Sequence, residues 1–383
     1  MTYSSLERKY SNFTHPVIDV FVSGVSISSG KYALGISNVT VELTAGFEAS
    51  EAIFSIYNCY DYDDGQFDFD LVKNFVLIGS PVIIYMGYDV DVTEVFRGVI
   101  TRVNFLIEEG DAPNIQVSAM DVKAVMMASR YHKMLKADSY SAAVKEIFEN
   151  GIYKTLENDE VIISYEIKDT PDASPISTGT KPETDKMIEL AGESDYEFVV
   201  RAAKKFNYEF FVLGGRVYFR KAKSDTEKQI TIDNNANIKR LSVEYDVTGL
   251  TESIEVRGLD VGKAKAITSN SKNSGKLSQG SRAKSLISGS KFVYVDPTIS
   301  DATDADYRVK YLMEDMMYRY GTLELEIIGL PDILPGRFIK INNIGTAISN
   351  DFYVQKVRHT MSLRGEFSTK VTGKAKEQSS SLF

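Results

Sequence analysis

Residues 194–220, SDYEFVVRAAKKFNYEFFVLGGRVYFR, predict a helix followed by a β-hairpin. Ser194 and Glu197 have the spacing of a capping box, in which each side chain bonds a backbone N–H at the start of a helix. The helix is predicted over residues 195–206. Two runs rich in aromatic and β-branched residues then flank Gly214–Gly215, where both turn positions can adopt φ > 0. We therefore expect an α+β unit in the middle of the chain.

The rest of the chain has patterns typical of β-strands. Val39–Leu43 alternates apolar and polar residues, and Pro81–Met86 and Asn114–Met120 are further strand-like runs between turns rich in Gly, Asp and Pro. Strands at this spacing are typical of a small barrel or sandwich. The predicted parts are a first β-barrel domain at 1–124, an α+β insert at 125–235, a second β-barrel domain at 236–372 and a polar tail at 373–383.

A faint internal repeat relates the two β parts. A proline, a strand and a phenylalanine follow one another twice: Pro81 and Phe96 are 15 residues apart, and Pro335 and Phe352 are 17 residues apart. Repeated patterns of this kind indicate repeated structural units. The sequence therefore predicts an α+β, mainly β fold, with two small related β-barrels and an α+β insert between them.

The composition excludes several classes of protein. The chain has 383 residues and a net charge of −9, which argues against a protein that mainly grips nucleic acid phosphates. A single cysteine allows no internal disulfide and no four-cysteine zinc site. No apolar run approaches the roughly 18 residues of a membrane span. Because the first residues are polar and mixed in charge, we expect no signal peptide and synthesis in a bacterial cytoplasm.

No recognised catalytic motif occurs in the sequence. The nearest approach to a Walker loop, residues 258–264, is one residue short and lacks the Ser or Thr that binds magnesium. Cys59 follows a strand and has no evident base, and a lone histidine in a strand, such as His359, is usually a core or interface residue. We therefore expect no enzymatic activity, no catalytic residues and no cofactor.

An acidic turn at residues 61–70 is the best candidate for a metal site. A calcium loop of the EF-hand type ending at Gly65 would need Asp at positions 60 and 62, but the sequence has Tyr60 and Tyr62 there. We interpret the turn as a solvated acidic loop and expect no metal.

Residues 262–290 are rich in Ser, Gly, Asn and Lys and predict a long flexible loop. The basic side chains of this segment are Lys263, Lys265, Lys272, Lys276, Arg282 and Lys284. Two interpretations stay open: a solvated linker, or a docking arm that Coulomb attraction steers to an acidic partner surface. Nucleic acid fits less well, because the segment lacks aromatic residues on which bases could stack.

Three groups of residues resemble motifs of one protein family. Glu193–Ala203 is similar to an "ESDxEFxxRxA" helix that leads into an aromatic hairpin. Gly329–Gly336 and the strand Phe352–His359 are similar to a "G-x-P-x-x-x-P-G … Y-x-V-x-x-V-x-H" ending, and Phe96–Val99 is similar to an "F-x-G-x-V" strand. In this order the motifs resemble the phage late control D family. Its members are baseplate hub proteins of contractile tails, similar to the N-terminal hub part of type VI secretion spike proteins.

The resemblance implies a structural role in a virion or phage-tail-like particle. It implies a homotrimer, a ring that joins the central spike to the tail tube or tube-initiator protein, lines the channel and contacts other baseplate proteins. Because no needle-forming repeat is present, we expect a separate spike protein; we expect no sequence-specific nucleic acid partner. The motif residues are implied to be architectural rather than catalytic; they are Ser194, Asp195, Glu197, Phe198, Gly336 and His359.

Two alternatives remain. The chain fits a tail-tip protein of a siphophage, or a tail protein that binds the host surface, if it presents an exposed aromatic groove with affinity for sugars. A cell-wall hydrolase is the less favoured alternative, because its carboxylate pairs would have no recognisable frame among 53 acidic residues.

Overall fold

The computed structural model describes residues 1–172, 188–260, 263–275, 277, 282–299, 301–362 and 364–378. The protein is mainly β, with 44% strand and 19% helix, in agreement with the predicted α+β, mainly β class. None of the described helices is long and apolar enough to cross a membrane.

The N-terminal part is built mostly from antiparallel strands. Its elements are α1 Tyr3–Lys9, β1 Pro16–Val22, β2 Val25–Ser26, β3 Gly35–Thr44, β4 Glu51–Tyr57, β5 Tyr60–Asp61, β6 Gln66–Phe67, α2 Phe69–Val72, β7 Pro81–Tyr88, β8 Asp91–Leu106, β9 Asn114–Met120 and α3 Lys123–Met126. Alternate residues of β3 are buried from Ser37 to Leu43, as the apolar alternation of Val39–Leu43 predicts. In β7, which is apolar along most of its length, alternate residues are buried from Val82 to Met86.

The middle of the chain, where an α+β insert is predicted, contains both helices and strands. Its elements are β10 Tyr131–Leu135, α4 Tyr140–Phe148, α5 Gly151–Asn158, β11 Ser164–Ile167, β12 Ile188–Glu193, α6 Asp195–Phe206, β13 Tyr208–Leu213 and β14 Arg216–Lys221. The predicted capping box is present at the start of α6, and the helix stops at Asn207, which adopts a left-handed conformation with φ 58°. The predicted Gly214–Gly215 turn joins β13 and β14, with positive φ at both glycines.

The C-terminal part contains strands of the large sheet and a smaller module. Its elements are β15 Lys228–Ile232, β16 Ile238–Tyr245, β17 Ser253–Asp260, β18 Lys265–Lys272, α7 Ala283–Ile287, β19 Lys291–Val295, α8 Ala302–Met317, β20 Gly321–Ile328, β21 Phe338–Ile341, β22 Asn350–Met361 and β23 Phe367–Ala375. β23 therefore extends into the segment that was predicted as a tail from residue 373.

The prediction of a long flexible loop at residues 262–290 is wrong for the described part of that segment. β18 pairs with β17 along its whole length, β19 pairs with the other edge of β17, and α7 lies between them in sequence. This three-stranded sheet packs against α8 around a core of its own, which includes Val256, Met313 and Met316. The sequence of β18 has few large apolar residues because the strand is mostly exposed: five of its eight residues are exposed and only Ser269 is buried.

One sheet connects the N-terminal and C-terminal parts. It has 13 strands, and its main path runs β16-β20-β23-β22-β3-β4-β9-β8-β7-β1-β2, with β15 and β21 paired beside β22. Among the described residues this path is open, with β16 at one end and β2 at the other, so the two predicted barrels are not present as closed barrels. A single apolar core includes buried residues from both parts, such as Val41 and Val371.

Candidate functional site: an interdomain junction

Residues 329–336, in the loop between β20 and β21, contact the N-terminal part, the insert and the large sheet; we call them the junction loop. Gly336 has φ +86°, and a Cβ atom there would lie 2.7 Å from the Phe211 ring of the insert. Only glycine combines this backbone conformation with so close a ring. The glycine at the last position of the loop sequence GLPDILPG is therefore explained by backbone conformation and by the close ring.

The N-terminal part binds the junction loop through three side chains. The Tyr88 hydroxyl donates to the carbonyl oxygen of Gly329 at 3.0 Å. The Lys9 ammonium and the Tyr10 hydroxyl donate to the two carboxylate oxygens of Asp332, at 2.8 Å and 2.5 Å. Burial, followed by the hydrogen bond to Asp332, raises the pKa of Tyr10, so its hydroxyl keeps its proton at neutral pH.

The insert binds the same loop through a buried ion pair. Arg220 on β14 donates to the carbonyl oxygen of Gly336 at 2.8 Å and to the carboxylate of Glu209 on β13 at 2.8 Å. The Tyr353 hydroxyl on β22 and the Lys223 backbone N–H donate to the other carboxylate oxygen of Glu209, at 2.6 Å and 3.0 Å. This cluster joins the hairpin, the junction loop and the large sheet.

The charges of this cluster are largely removed from water. Burial raises the pKa of Glu209, and the Lys223, Tyr353 and Arg220 groups act against that rise. Burial and the neighbouring Glu209 charge raise the pKa of Tyr353 well above its ordinary value. Arg220 also lies over the ring of Tyr218, with its guanidinium carbon 5.0 Å from the ring centre. A paired charge of this kind fixes the geometry of the contact rather than supplying much net stability.

His359 lies next to the junction loop, on β22. Its ring is fully buried, and its Nδ1 atom shares a 2.9 Å hydrogen bond with the Thr369 hydroxyl, which also accepts from the Leu330 backbone N–H of the loop. Burial lowers the pKa of His359 to about 4, so the ring is neutral at pH 7. The expected core position of this histidine agrees with the structure.

The structure separates the predicted motif residues into two groups. Gly336 and His359 lie at the junction loop, whereas Ser194, Asp195, Glu197 and Phe198 surround the start of α6. There the buried Asp195 carboxylate accepts from the hydroxyls of Tyr131 and Tyr153, both at 2.5 Å. Phe198 is fully buried under the guanidinium of Arg201, whose carbon lies 5.0 Å from the ring centre. These residues hold the insert together.

The basic side chains of the 262–290 segment do not form one arm. Lys263 and Lys265 lie at the β17–β18 turn, Lys272 lies at the end of β18, and Arg282 and Lys284 lie at α7. All five are exposed, and Lys263 is 3.5 Å from Asp260. Lys276 lies outside the described residues.

Most of the junction residues could not be identified from the sequence. Asp332 belongs to the GLPDILPG motif and could have been noticed as the charged residue of an otherwise apolar turn. Arg220 and Glu209 lie opposite each other in the predicted hairpin, which is a signal for a cross-strand ion pair. Lys9 and Tyr10 gave no signal, because their partner is more than 300 positions away.

Within the described part of the chain, three clefts between its units are lined by charged side chains. The largest, about 1170 Å³, is lined by the lysines Lys221, Lys223, Lys228, Lys272, Lys310 and Lys376 and by three acidic residues. A cleft of about 710 Å³ separates α6 from the module around α8, and one of about 660 Å³ lies beside the junction loop. Because side chains of both charges line each cleft, the clefts resemble solvated seams between units.

The acidic turn carries no arrangement of metal ligands. The Asp61 carboxylate accepts from the backbone N–H groups of Asp63 and Asp64, at 2.8 Å and 3.2 Å, as in an Asx-type turn. Throughout the described ranges no group of three or more His, Cys, Asp or Glu side chains is placed to hold an ion.

Comparison with known proteins relates the chain to a family and to a fold. Residues 19–362 match the family model described as the Alg8 N-terminal domain. No curated protein matches the chain.

Several solved structures share the architecture. A tail protein from Neisseria meningitidis has a TM-score of 0.66 at 13% identity, over 94% of this chain and 97% of that chain. The 43 kDa tail protein of prophage MuSo2 from Shewanella oneidensis has a TM-score of 0.64 at 12% identity, over 94% and 98%. The c3393 protein of E. coli, a component of the type VI secretion system, has a TM-score of 0.55 at 10% identity, over 92% and 76%. At these identities the likeness shows a shared fold.

Proposed function

The chain belongs to the Alg8 N-terminal domain family, and we propose that it is the structural hub of a contractile-tail baseplate. In this proposal three copies form a ring that joins a central spike to the tail tube, surrounds the channel and contacts other baseplate proteins. Phage tail proteins and a type VI secretion component share the fold. The observation that carries the proposal is a repeat in the strand order of the large sheet.

Each half of the sheet contains the same succession of six strands. In the N-terminal half the neighbours are β3-β4-β9-β8-β7-β1, and in the C-terminal half they are β16-β20-β23-β22-β21-β15. The first four contacts are antiparallel in both halves, and the last is antiparallel for β7–β1 but parallel for β21–β15. This correspondence supports two related β units within the chain.

The register of the strands repeats as well. One row of paired residues crosses the first unit at Glu42, Glu51, Met120 and Val99, and its counterpart crosses the second at Glu244, Thr322, Lys374 and Tyr353. A register shift follows at the same place in both units, next to Thr101 in β8 and next to Gln355 in β22. This register relates Val99 to Tyr353, whereas the sequence repeat that begins at Phe96 and Phe352 would relate it to Gln355.

Because each chain contains two similar units, a ring of three chains contains six similar units. Such a ring has true three-fold and approximate six-fold symmetry, so it can match a three-fold spike on one face and a six-fold tube on the other. The buried junction around Arg220 would then keep the insert fixed while the ring bears load.

The first test is the native mass by light scattering after size exclusion. We expect a mass near three times the 42.7 kDa of one chain. Rings in negative-stain images would support the hub further. A single-chain mass at all protein concentrations would overturn the self-assembling ring.

One observation favours a second candidate, a tail protein that binds the host surface. Tyr62, Phe69 and Phe105 are exposed on one side of the N-terminal part, and Phe69 stacks on Phe105 with the ring centres 6.2 Å apart. Exposed aromatic clusters are frequent in binding surfaces. Binding of the purified protein to host-wall polysaccharide, lost in Tyr62→Ala, would support this candidate; the same preparation would show any wall digestion in a zymogram.

A further inference from the structure

The two β units are joined within the chain by a strand pair that has no counterpart elsewhere in the described residues. Residues Lys356–Met361 of β22 pair with β23 on one side and with residues Val39–Thr44 of β3 on the other. The pair is antiparallel, and it makes the sheet of the second unit continuous with that of the first.

In the first unit, the strand that corresponds to β22 has an edge that no described strand covers. β8 pairs with β7 only up to Val99, and from Arg102 to Leu106 it pairs with β9 alone among the described strands. Phe105 in this segment is 43% exposed. By the repeat, Arg102–Leu106 corresponds to residues 356–360 of β22.

In the second unit, the strand that corresponds to β3 is also an edge. β16 ends the large sheet, and within the described chain it pairs only with β20. Its residues alternate between half-buried and exposed from Leu241 to Tyr245, and Glu244 is exposed. Unpaired edges of this length are uncommon in soluble proteins, since they template pairing with another chain.

We infer that residues Arg102–Leu106 of one copy pair antiparallel with β16 of the next copy, in the register of the β22–β3 pair. This inference rests on the proposed ring and names the surfaces that close it. Asn104 then lies opposite Glu244 of the next copy, and Phe105 lies opposite Val243 of the next copy. The contact is head-to-tail, so three copies close a ring with three such junctions inside chains and three between chains.

The charges at the two edges match those of the pair within the chain. There the carboxylate of Glu42 accepts from Lys356 at 2.7 Å and from Arg358 at 2.5 Å. Glu244 stands in the position of Glu42, and Arg102 stands in the position of Lys356. An ion pair between Arg102 and Glu244 of the next copy would therefore reproduce the intrachain contact across the boundary.

Apolar side chains at the two edges also match. Phe105 takes the place that His359 has in the β22–β3 pair within the chain. It would cover Val243 of the next copy. Val103 would lie opposite Tyr245 of the next copy. Aromatic and β-branched residues form favourable cross-strand pairs. The exposed area of Phe105 in the single chain is explained if this surface is buried in the ring.

Cysteine cross-linking tests the pairing directly. In the full chain carrying Asn104→Cys and Glu244→Cys, the two residues of neighbouring copies should lie at cross-strand distance and form a disulfide under mild oxidation. We expect covalent dimers and trimers on a non-reducing gel. The matched control carries Glu42→Cys and Arg358→Cys, which are paired within the chain and should react without a change in mass. Cys59 is 1% exposed and should not interfere.

A charge exchange supplies a second, independent test. Arg102→Glu and Glu244→Lys should each weaken the assembly at least several-fold in a dilution series followed by light scattering, and the double variant should recover most of the loss. Glu149→Lys, which changes an exposed glutamate of the insert, should have no effect.

The outcomes separate the inference from the proposed function. A trimer that neither cross-links at positions 104 and 244 nor responds to the charge exchange would overturn the strand pairing and leave the ring standing. A single-chain mass would overturn both. A trimer that cross-links only in the 104/244 variant and recovers in the double variant supports both.

Discussion

Arg220 of the insert hairpin donates a hydrogen bond of 2.8 Å to the carbonyl oxygen of Gly336, so a side chain and a backbone group 116 positions apart lock two parts of the protein together. Gly336 accepts this bond because its φ of +86° turns the end of the junction loop toward the hairpin. The hairpin that follows α6 and the end of the junction loop thus meet in one buried contact.

Removing the Arg220 charge should destabilise the protein strongly. In Arg220→Met the buried carboxylate of Glu209 loses its charged partner, and breaking buried pairs in this way costs about 3–5 kcal/mol. The measurement is the free energy of unfolding in urea. Arg216→Met, at an exposed arginine of the same strand, is the control and should change it by less than about 1 kcal/mol. An equally small loss in both variants would show that the buried Arg220 contact adds no more to the free energy of unfolding than the exposed Arg216 does.

Replacing Gly336 should cost more than backbone strain alone. Gly336→Ala places a methyl group 2.7 Å from the Phe211 ring in a left-handed conformation, and we expect a loss of about 2–5 kcal/mol. Gly110→Ala is a matched control, because Gly110 has φ +89° and nothing lies within 4 Å of its Cβ position. The thermal midpoint of Gly336→Ala should lie well below that of Gly110→Ala; coincident midpoints would contradict the steric part of the argument.

His359 should make the protein less stable as the pH falls. Burial lowers the pKa of its ring from 6.5 to about 4, so the unfolded chain takes up a proton before the folded one does. Its contribution is complete above pH 6.5 and is lost as the pH falls toward 4, and it amounts to about 3 kcal/mol. Urea unfolding across this range should show a shallower pH dependence in His359→Gln. In His15→Gln, at an exposed histidine, the dependence should match that of the unaltered protein.

The two tyrosines that bind Asp195 should contribute unequally. Tyr153 is 1% exposed, and Tyr153→Phe leaves a buried carboxylate with one donor fewer, which should cost about 1–3 kcal/mol. Tyr131 is half-buried, so water can replace its hydroxyl and Tyr131→Phe should cost less. Chemical denaturation of each variant measures the difference. The comparison variant is Tyr165→Phe. The hydrogen-bond partner of Tyr165 is Glu157, which is less than a third exposed and also pairs with Lys154.

Local sequence determined much of the secondary structure. The capping box of Ser194 and Glu197, the stop at Asn207 and the Gly214–Gly215 turn act over a few residues, so their chemistry is visible in the order of the amino acids alone. The strand β9 was predicted with its observed bounds, Asn114–Met120, for the same reason. The β18 strand was missed because a run of Ser, Asn, Thr and Lys becomes a strand only when a neighbour supplies hydrogen bonds.

Tertiary structure decided how these elements meet. Pairing of β22 with β3, the contact of Lys9 and Tyr10 with Asp332, and the Arg220 cluster join residues that lie far apart in the chain, and a local pattern holds no information about such partners. The sequence by itself determined the elements whose signals are local, such as α6, the β13–β14 hairpin and β9. The fold determined which edges are covered, because that depends on the path of the whole sheet, and among the described strands it left β16 and the end of β8 each with one unpaired edge.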